Sequence, residues 1–422
     1  MTAIKFLFKK SRPLKYFIFS LSCVVFAVIL TSCELNPTAP NEPPKPPGYQ
    51  EDIYWPSLAD SPWPMNHHDP QSTGRSKYLG PQNGDILDSI FAFNLESGII
   101  IGADSTIYFI TTLPSKLVSS NYRGEINWEL SLGNEVTSTP IITKEKNIIV
   151  AKSSLGKITS FTAEGSLNWE FNNGAEIWSV GLSIGIDGSI YFIDVESNLV
   201  SLNPSGVENW RYRDTRFLST NNAALTFSPD GKTVYIQGNQ ESLFAFDIEK
   251  KEFKWNFISG NLITSPIVDY EGNLYLVPLT TSNNEADFIC IKSDGTLKWK
   301  YTYATTNYSI GNIEPAIDQL GNIIFGFDTL YSLNYVGELN WKIALSDNEF
   351  VTSPIICDVN GNVFIGTDNN STPVVYRYSS VGYKEWEVRL LGERAIGLSP
   401  ALSESGLLFV PTFRSNYIYI IK

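Results

Sequence analysis

Charged residues and histidine are scarce in this sequence of 422 residues. Charged side chains make up 18% of the chain, which contains two histidines and four cysteines. These are the residue types from which acid–base pairs and metal sites are built. The sequence shows no nucleophile–base pair, phosphate-binding loop or zinc-ligand spacing, so we predict a protein that is not an enzyme and holds no cofactor or metal. Aromatic residues reach 13%, which is typical of many short, well-packed strands.

Acidic residues outnumber basic ones, and the imbalance grows once the N-terminus is set aside. The formal net charge is −13 at pH 7, from 31 basic and 44 acidic residues. Five basic and no acidic residues lie in residues 1–32, so the remaining chain has 26 basic residues and a net charge of −18. Affinity for nucleic acid comes largely from basic side chains. The charge therefore argues against DNA or RNA as a partner.

Residues 1–32 form a predicted signal peptide. A basic start is followed by an apolar run from Tyr16 to Leu30, which is shorter than the roughly 20 residues of a membrane-spanning helix. The run ends in Leu30-Thr31-Ser32-Cys33, which resembles a bacterial lipobox. This resemblance implies that Cys33 carries the lipid and becomes the new N-terminus, whereas Cys23 is removed with the leader. An uncleaved N-terminal anchor with an incidental cysteine is the alternative.

A proline-rich tether is predicted over residues 33–50. It contains six prolines, and such a composition favours an extended polyproline II conformation of about 3 Å per residue. Acyl chains on Cys33 would anchor the tether stably in a membrane and hold the following domain off its surface. Glu34 is not the aspartate that retains some lipoproteins at the inner membrane, so we expect the outer membrane.

Residues 51–82 precede the repeats and contain both histidines. His67, His68 and Asp69 are consecutive, which raises a metal site, but adjacent side chains of an extended chain point to opposite sides. We therefore predict a capping segment that packs Trp55 and Trp63 on the following domain, with a metal site as the alternative.

The phrase Gly-x-x-x-Trp recurs through the rest of the chain. Successive tryptophans are 41 to 45 residues apart, and a period of this length built from short strands is typical of β-propeller blades. Six of the seven copies begin with glycine, and Lys251 replaces it in the other. The regular placement predicts that the tryptophans pack one blade against the next. They are Trp128, Trp169, Trp210, Trp255, Trp299, Trp341 and Trp386.

Each repeat is predicted to form four antiparallel strands. An apolar strand, often begun by Ser/Thr-Pro, leads through a turn with glycine to two β-rich strands and then to the tryptophan strand. First strands begin near residues 97, 138, 180, 222, 264, 313, 352 and 398. The last unit lacks its closing strand, which the run Ile86–Phe93 could supply. We therefore predict an all-β fold, an eight-bladed β-propeller over residues 83–422 that is closed by an N-terminal strand, with seven blades as the alternative.

Two further patterns have ordinary structural interpretations. The segment from Asp358 to Asn362 begins like a calcium loop but lacks the distal bidentate glutamate, so we interpret it as a turn. Cys290 and Cys357 fall in the fifth and seventh units, which are not neighbours in a ring. We predict two buried free thiols and no disulfide between them.

The tryptophan repeat, the Ser-Pro first strands and the Asp-Gly turns resemble the propeller repeats of pyrroloquinoline-quinone (PQQ) quinoproteins over residues 51–422. For the dehydrogenases of that family, the resemblance implies a quinone and a calcium ion held by carboxylates on the propeller axis, beneath an adjacent Cys-Cys pair. This chain has no Cys-Cys pair. In size and anchoring it is also similar to the lipoprotein propeller subunit of the outer-membrane β-barrel assembly machinery, a scaffold without catalysis.

These observations favour a non-catalytic cell-envelope lipoprotein, monomeric and anchored at Cys33, whose propeller is a scaffold for a protein partner in outer-membrane protein assembly. Two alternatives stay open. One is a PQQ-dependent oxidoreductase, and the other is a surface glycan-binding propeller, suggested by the many aromatic residues and the loop Pro278–Asp287.

Overall fold

Eight antiparallel sheets follow one another along the chain in the computed structural model, which describes residues 44–422 with short gaps. The gaps are residues 134–135, 137, 178–181, 218–223, 240, 261, 263, 279–284, 306–312, 369–371, 391–395 and 414–415. Cys33 and the predicted signal peptide lie outside the described residues. The chain divides at residue 46 into two units, and all the strands belong to the second unit, residues 47–422.

Each sheet is one blade of a propeller, with four strands that run in order from the axis outward, as predicted. The first strand of the chain, β1 (Ile86–Phe91), belongs to the last blade. Blades 1 to 4 are β2 (Ile100–Ile101), β3 (Ile107–Thr111), β4 (Ser115–Ser120) and β5 (Ile126–Gly133); β6 (Ile141–Ile142), β7 (Ile148–Lys152), β8 (Lys157–Phe161) and β9 (Leu167–Asn172); β10 (Ser183–Ile184), β11 (Ile190–Ile193), β12 (Asn198–Leu202) and β13 (Glu208–Arg213); β14 (Thr226–Phe227), β15 (Thr233–Gln237), β16 (Ser242–Asp247) and β17 (Glu252–Ile258).

The second half of the ring repeats this arrangement, except that the inner strand of blade 7 is split into two pieces that both pair with β28. Blades 5 to 8 are β18 (Ile267–Val268), β19 (Leu274–Leu276), β20 (Glu285–Ile291) and β21 (Leu297–Ala304); β22 (Ala316–Ile317), β23 (Ile323–Gly326), β24 (Thr329–Leu333) and β25 (Leu339–Ala344); β26 (Phe350–Val351), β27 (Ile356–Cys357), β28 (Val363–Asp368), β29 (Val374–Tyr378) and β30 (Lys384–Arg389); β31 (Ala401–Leu402), β32 (Leu408–Pro411) and β33 (Tyr417–Ile421) with β1.

The ring closes through its N-terminal strand, as predicted. β1 pairs antiparallel with β33, and Ile90 lies opposite Ile418. This pairing supplies the outer strand that blade 8 lacks in the sequence, so the ring has eight blades and not seven. A closed ring removes the open sheet edges that otherwise promote aggregation.

Two kinds of connection define the two faces of the ring. Five residues join the first and second strands of every blade, as from Ile101 to Ile107. These turns lie on one side, together with the turns between third and fourth strands, and we call this side the turn face. Antiparallel order places the other connections, between second and third strands and between blades, on the opposite side. We call that side the loop face.

The recurrent tryptophans join neighbouring blades on the turn face. The indole nitrogen of Trp128 donates a hydrogen bond of 2.9 Å to the carbonyl oxygen of Ala163 in the next blade. Its ring lies against the α-carbon of Gly165, where a β-carbon would meet the indole at 2.9 Å. The same indole–carbonyl bond recurs from Trp169, Trp255, Trp299, Trp341 and Trp386. The predicted role of the tryptophans in blade packing is confirmed.

The blades pack through apolar interiors, and the described chain has little helical structure. The largest fully buried side chains include the phenylalanines of the second and third strands, such as Phe109, Phe192 and Phe246. Cys290 and Cys357 are buried and unbonded to each other, as predicted, and burial raises the pKa of both thiols. The described chain has one 3-10 turn, Ser153–Leu155, and within that same part no helix is long and apolar enough to cross a membrane.

The contact between glycine and tryptophan predicts a specific steric effect. Gly206 and Gly174 have nearly equal φ angles, +78° and +79°. A β-carbon on Gly206 would lie less than 3.0 Å from the ring of Trp169, whereas one on Gly174 meets nothing within 4 Å. Both substitutions to alanine add backbone strain, but Gly206→Ala should destabilise the fold by a further ~1–3 kcal/mol through overpacking.

Urea unfolding of the two variants measures this difference, and Gly174→Ala is the control for backbone strain. Equal midpoints for Gly206→Ala and Gly174→Ala would contradict a role for the indole contact.

Candidate functional site at the propeller axis

Residues 51–82, which we call the axial segment, bind the inner edges of the blades. An inner strand has one edge without a neighbouring strand, and its buried backbone groups require other partners. The second residue of the inner strand donates its N–H to a carbonyl oxygen of the axial segment in six blades, at distances of 2.8 to 3.0 Å. These donors are Ile101, Ile142, Phe227, Val268, Ile317 and Cys357, and the acceptors are Trp63, Pro64, Pro70, Gln71, Thr73 and Gly74.

Both tryptophans of the axial segment take part. The indole nitrogen of Trp55 donates to the carbonyl oxygen of Ile184 in blade 3 at 3.0 Å, so that blade is also held. Trp63 is fully buried and lies edge-on to the ring of His68, with 5.0 Å between the ring centroids. The sequence predicted that these two residues pack on the domain. It did not predict that the axial segment would form hydrogen bonds with seven blades.

His67 is buried at the axis with protein partners at both ring nitrogens. Its Nδ1 lies 2.8 Å from the carbonyl oxygen of Ser72, and its Nε2 lies 3.0 Å from that of Ile355. Gly74 packs so closely on the imidazole that a β-carbon there would meet Nε2 at 2.5 Å. Neither nitrogen faces open space, so the geometry favours a structural role over metal binding.

Asp69 organises the turn that follows the histidines. Its Oδ1 accepts hydrogen bonds from the backbone N–H groups of Gln71 and Thr73, both at 3.1 Å. Its Oδ2 accepts from the hydroxyl of Thr73 and lies 3.1 Å from Nδ1 of His68. Burial acts to raise the pKa of Asp69, but the His68 and Thr73 interactions outweigh it and hold that pKa below its ordinary value. His68 and Asp69 are thus adjacent, as the sequence suggested, while His67 points elsewhere.

Glu314 is a buried carboxylate at the axis that sequence reasoning missed. Its Oε2 accepts from the amide of Asn66 at 3.4 Å and lies 3.9 Å from Nδ1 of His67. Its Oε1 accepts from the hydroxyl of Ser265 at 3.3 Å. The one available signal is local: Glu314-Pro315 stands where other repeats have Ser-Pro.

A cavity of about 440 Å³ opens at the turn-face end of the axial segment. Its charged groups are mostly paired with each other, since Lys77 lies 2.9 Å from Asp60 and Arg75 lies 3.9 Å from Asp52. Its walls include Tyr54, Trp55, Leu58, Pro64, His68 and Asp69. Across the described residues, no cluster of three or more His, Cys, Asp or Glu side chains could hold a metal ion.

The Asp-x-x-Gly turns are held internally, in agreement with their interpretation as turns. Oδ1 of Asp358 accepts from the backbone N–H groups of Asn360 and Asn362, both at 2.9 Å. Its Oδ2 accepts from the Asn362 amide at 2.9 Å and from the N–H of Gly80 at 3.1 Å. Both oxygens therefore have protein donors. Cys33 and residues 279–284 of the predicted loop Pro278–Asp287 lie outside the described residues.

The fold and its axial segment define a class, an eight-bladed propeller of PQQ-like repeats. A family model described as outer membrane protein assembly factor BamB matches residues 63–301, and the chain belongs to this family. No curated protein matches the chain.

Solved structures show the same fold at low sequence identity. BamB from Moraxella catarrhalis superposes with a TM-score of 0.59 at 15% identity, covering 80% of this chain and 97% of that one. Quinohemoprotein alcohol dehydrogenase from Comamonas testosteroni gives a TM-score of 0.62 at 13% identity, covering 85% and 80%. The C-terminal WD40 domain of Sif2 gives 0.60 at 12% identity, covering 82% and 99%. Identities this low establish the architecture only.

Asp69→Asn should destabilise the protein by about 1–3 kcal/mol at pH 7, because an amide oxygen accepts the turn's hydrogen bonds less strongly than a carboxylate. A folded pKa below the unfolded value means that the carboxylate stabilises the fold above the unfolded value of 3.8 and that this contribution is lost as pH falls through the folded pKa. The difference in unfolding free energy between wild type and variant should therefore shrink below about pH 4.

Urea titrations between neutral and acid pH test this expectation. Asp104→Asn is the control, since the exposed Asp104 accepts one backbone hydrogen bond, from Thr106, in a surface turn. A difference for Asp69→Asn that stays constant down to acid pH would contradict the assigned pKa direction.

Proposed function

We propose that this chain is a non-catalytic lipoprotein scaffold of the bacterial cell envelope, which holds protein partners during outer-membrane protein assembly. Membership of the BamB family supports a location in the cell envelope and a role in outer-membrane protein assembly. The observation that carries the proposal is the difference between the two faces of the ring, because interaction sites on repeat folds reside in the variable connections.

The turn face is uniform and the loop face is varied. All eight turns between first and second strands have five residues. On the loop face, the connection from second to third strand ranges from two residues in blade 6, after Gly326, to eight in blade 5, after Leu276. Blade-to-blade connections on that face reach twelve residues, between Arg213 and Thr226. The loop-face connections differ in length from blade to blade, while the blades themselves share one architecture. Such a surface suits recognition of a partner.

The tether joins the propeller on the opposite side from these loops. Gln50 donates its backbone N–H to the carbonyl oxygen of Gln319, in a turn of blade 6, at 2.8 Å. The amide of Gln319 donates to the hydroxyl of Tyr49 at 2.7 Å. Both contacts are on the turn face. These contacts put the attachment of the tether on the turn face, away from the varied loops.

The axis of the ring supports a role without catalysis. The inner edges that line it bond to the axial segment, and both oxygens of Glu314 accept protein hydrogen bonds. The PQQ-dependent oxidoreductase would need carboxylates free to hold a quinone and calcium there. Addition of PQQ and calcium should therefore produce neither quinone binding nor dye-linked alcohol oxidation.

Crosslinking in native membranes tests the scaffold. Lys152 and Lys157 flank a loop-face turn of blade 2, whereas Lys144 and Lys232 lie in turn-face turns. After amine crosslinking and affinity purification, mass spectrometry should recover an outer-membrane barrel or its assembly subunits, joined through Lys152 or Lys157. Lys144 and Lys232 are the internal controls.

Recovery of the chain alone would contradict a stable scaffold. Partner crosslinks confined to Lys144 and Lys232 would still support a scaffold, but they would assign partner binding to the turn face.

The lipid anchor gives a separate prediction. Cys33→Ser should abolish incorporation of labelled fatty acid and leave the leader uncleaved, because the lipobox requires this thiol. Cys23→Ser should behave as wild type, since Cys23 lies within the removed leader. Metabolic labelling with fatty acid and a mass measurement of the product test the assignment of Cys33 as the lipidated residue. Fatty-acid label on Cys33→Ser would refute it.

A further inference from the structure

His67 lies where three parts of the fold meet at the propeller axis. Its side chain contacts Glu314, ahead of β22, and Ile355, ahead of β27. The backbone N–H of Ile355 in turn donates to the carbonyl oxygen of Glu314 at 2.9 Å, and we call these three residues the axial clasp. We propose that the imidazole of His67 carries a proton on each nitrogen in the folded chain, and that loss of one proton releases the axial segment from blade 7. The inference concerns the axis of the ring and does not depend on the proposed function.

Each ring nitrogen of His67 faces a backbone carbonyl oxygen. Nδ1 lies 2.8 Å from the oxygen of Ser72, Nε2 lies 3.0 Å from the oxygen of Ile355, and the ring is fully buried. A carbonyl oxygen only accepts hydrogen bonds, and a neutral imidazole has one N–H to donate. Either neutral tautomer therefore sets a nitrogen lone pair against an oxygen lone pair at hydrogen-bond distance. The imidazolium has two N–H groups and bonds to both carbonyls.

The hydroxyl of Ser72 offers an alternative donor to one nitrogen. It lies 3.0 Å from Nδ1 and would donate to it in the tautomer that is protonated at Nε2. In that tautomer, however, the Nδ1 lone pair would also face the Ser72 carbonyl oxygen at 2.8 Å and the Glu314 carboxylate at 3.9 Å. The carbonyl oxygen and the negative charge thus both favour a proton on Nδ1.

Glu314 supplies the negative charge that a buried imidazolium needs. Its Oε2 lies 3.9 Å from Nδ1 of His67 and accepts from the amide of Asn66 at 3.4 Å. Its Oε1 accepts from the hydroxyl of Ser265 at 3.3 Å. Both partners donate, as an ionised carboxylate requires. Among the described residues, Glu314 is the one carboxylate that forms an ion pair with this ring.

The other titratable groups of the axial segment near the clasp have partners of their own. His68 lies 3.1 Å from the carboxylate of Asp69. The guanidinium of Arg75 donates to the carbonyl oxygens of Asp318 and Glu51, at 3.5 and 3.3 Å. These groups therefore do not replace Glu314 as the partner of the buried ring.

The titratable groups of blades 6 and 7 near the clasp are likewise engaged. Burial raises the pKa of Asp318, whose oxygens accept hydrogen bonds within its own turn. Both oxygens of Asp358 have protein donors. Burial also raises the pKa of the Cys357 thiol well above its ordinary value, so this thiol is neutral. His67 and Glu314 are thus a separate charge pair.

Loss of a proton would break the bond to blade 7 and spare the bond within the axial segment. Nδ1 keeps its proton because the Ser72 carbonyl and the Glu314 carboxylate both face it, so Nε2 is deprotonated and its lone pair opposes the oxygen of Ile355. Gly74 packs against the same nitrogen and accepts from the N–H of Cys357 at 2.8 Å. A proton held more tightly by the folded chain than by the unfolded chain stabilises the fold at low pH and ceases to do so as pH rises through its release. The clasp is therefore fastened at low pH and loosened at high pH.

Nuclear magnetic resonance of the full chain in detergent micelles, with isotopic label in the histidine ring nitrogens alone, tests the protonation state. The chain has two histidines, so the signals that remain in His68→Gln belong to His67. At pH 7, where a free histidine is mostly neutral, both ring nitrogens of His67 should be protonated. A ring nitrogen of His67 without a proton at this pH would overturn the proposal.

Glu314→Gln tests the counter-charge, because it keeps the shape of the side chain and removes its charge. This variant should leave His67 with one protonated ring nitrogen at pH 7. Glu349→Gln is the matched control, since Glu349 is also buried and accepts hydrogen bonds, from Thr367 and Tyr376. Two protonated nitrogens in Glu314→Gln, or one in Glu349→Gln, would contradict the assigned pair. If Glu314→Gln does not fold, the wild-type measurement still decides the charge state.

Amide hydrogen exchange in the wild-type chain tests the release. The N–H of Cys357 donates to Gly74 at 2.8 Å, and the N–H of Ile101 donates to Trp63 at the same distance. As pH rises through the deprotonation of His67, protection of Cys357 relative to Ile101 should fall by about threefold to tenfold, as for the loss of one hydrogen bond. A constant ratio across that titration would overturn the release from blade 7.

Discussion

The whole ring depends on the contact between a tryptophan in one blade and a glycine in the next. The indole occupies the space over the glycine α-carbon, and its nitrogen caps a carbonyl of the same turn. The turn needs positive φ, +85° at Gly165, and a β-carbon there would meet Trp128 at 2.9 Å. Glycine therefore satisfies a backbone requirement and a packing requirement at once.

The four-residue spacing within each copy follows from this contact. Gly165 receives Trp128 of the preceding blade, and Trp169 on the same strand reaches forward to Gly206. Each copy thus receives a tryptophan at its glycine and extends its own tryptophan to the next blade. A row of such copies has an unmade contact at each end until the ring closes. At closure, Gly84 ahead of β1 receives Trp386, and Ile90 within β1 packs against Gly124 in place of a tryptophan.

The exception shows which part of the contact is essential. Lys251 stands at the glycine position of blade 4, adopts φ +59°, and places its Nζ 5.8 Å from the centroid of the Trp210 ring. Its turn, between Asp247 and Glu252, is one residue shorter than the others of its kind. Positive φ is retained although glycine is lost, and the ammonium covers the ring by a cation–π contact. The backbone conformation is thus the stricter requirement.

These contacts explain why sequence alone predicted the ring but not its axis. The number of blades, the strand order and the closure of the ring could be predicted because the motif repeats, and each copy supports the interpretation of the others. The axial segment occurs once, and its partners are remote: His67 bonds to Ile355, 288 residues away, and Gly80 to Asp358, 278 residues away. Glu314 resembles any glutamate before proline until the fold brings Asn66 and Ser265 to it. Local patterns carry no information about such pairings.

The axial segment and the closing strand are consecutive, which couples the filling of the axis to the closing of the ring. Between them, the carbonyl oxygen of Pro81 accepts from Arg377 at 2.9 Å and from the indole of Trp386 at 3.2 Å. Residues 51–91 therefore bond first to the inner strands of the blades and then supply the outer strand of blade 8. Because these bonds hold the blades together at the turn face and at the axis, the loop-face connections can vary in length without disturbing the ring. These connections can therefore differ from blade to blade while the ring keeps its fold.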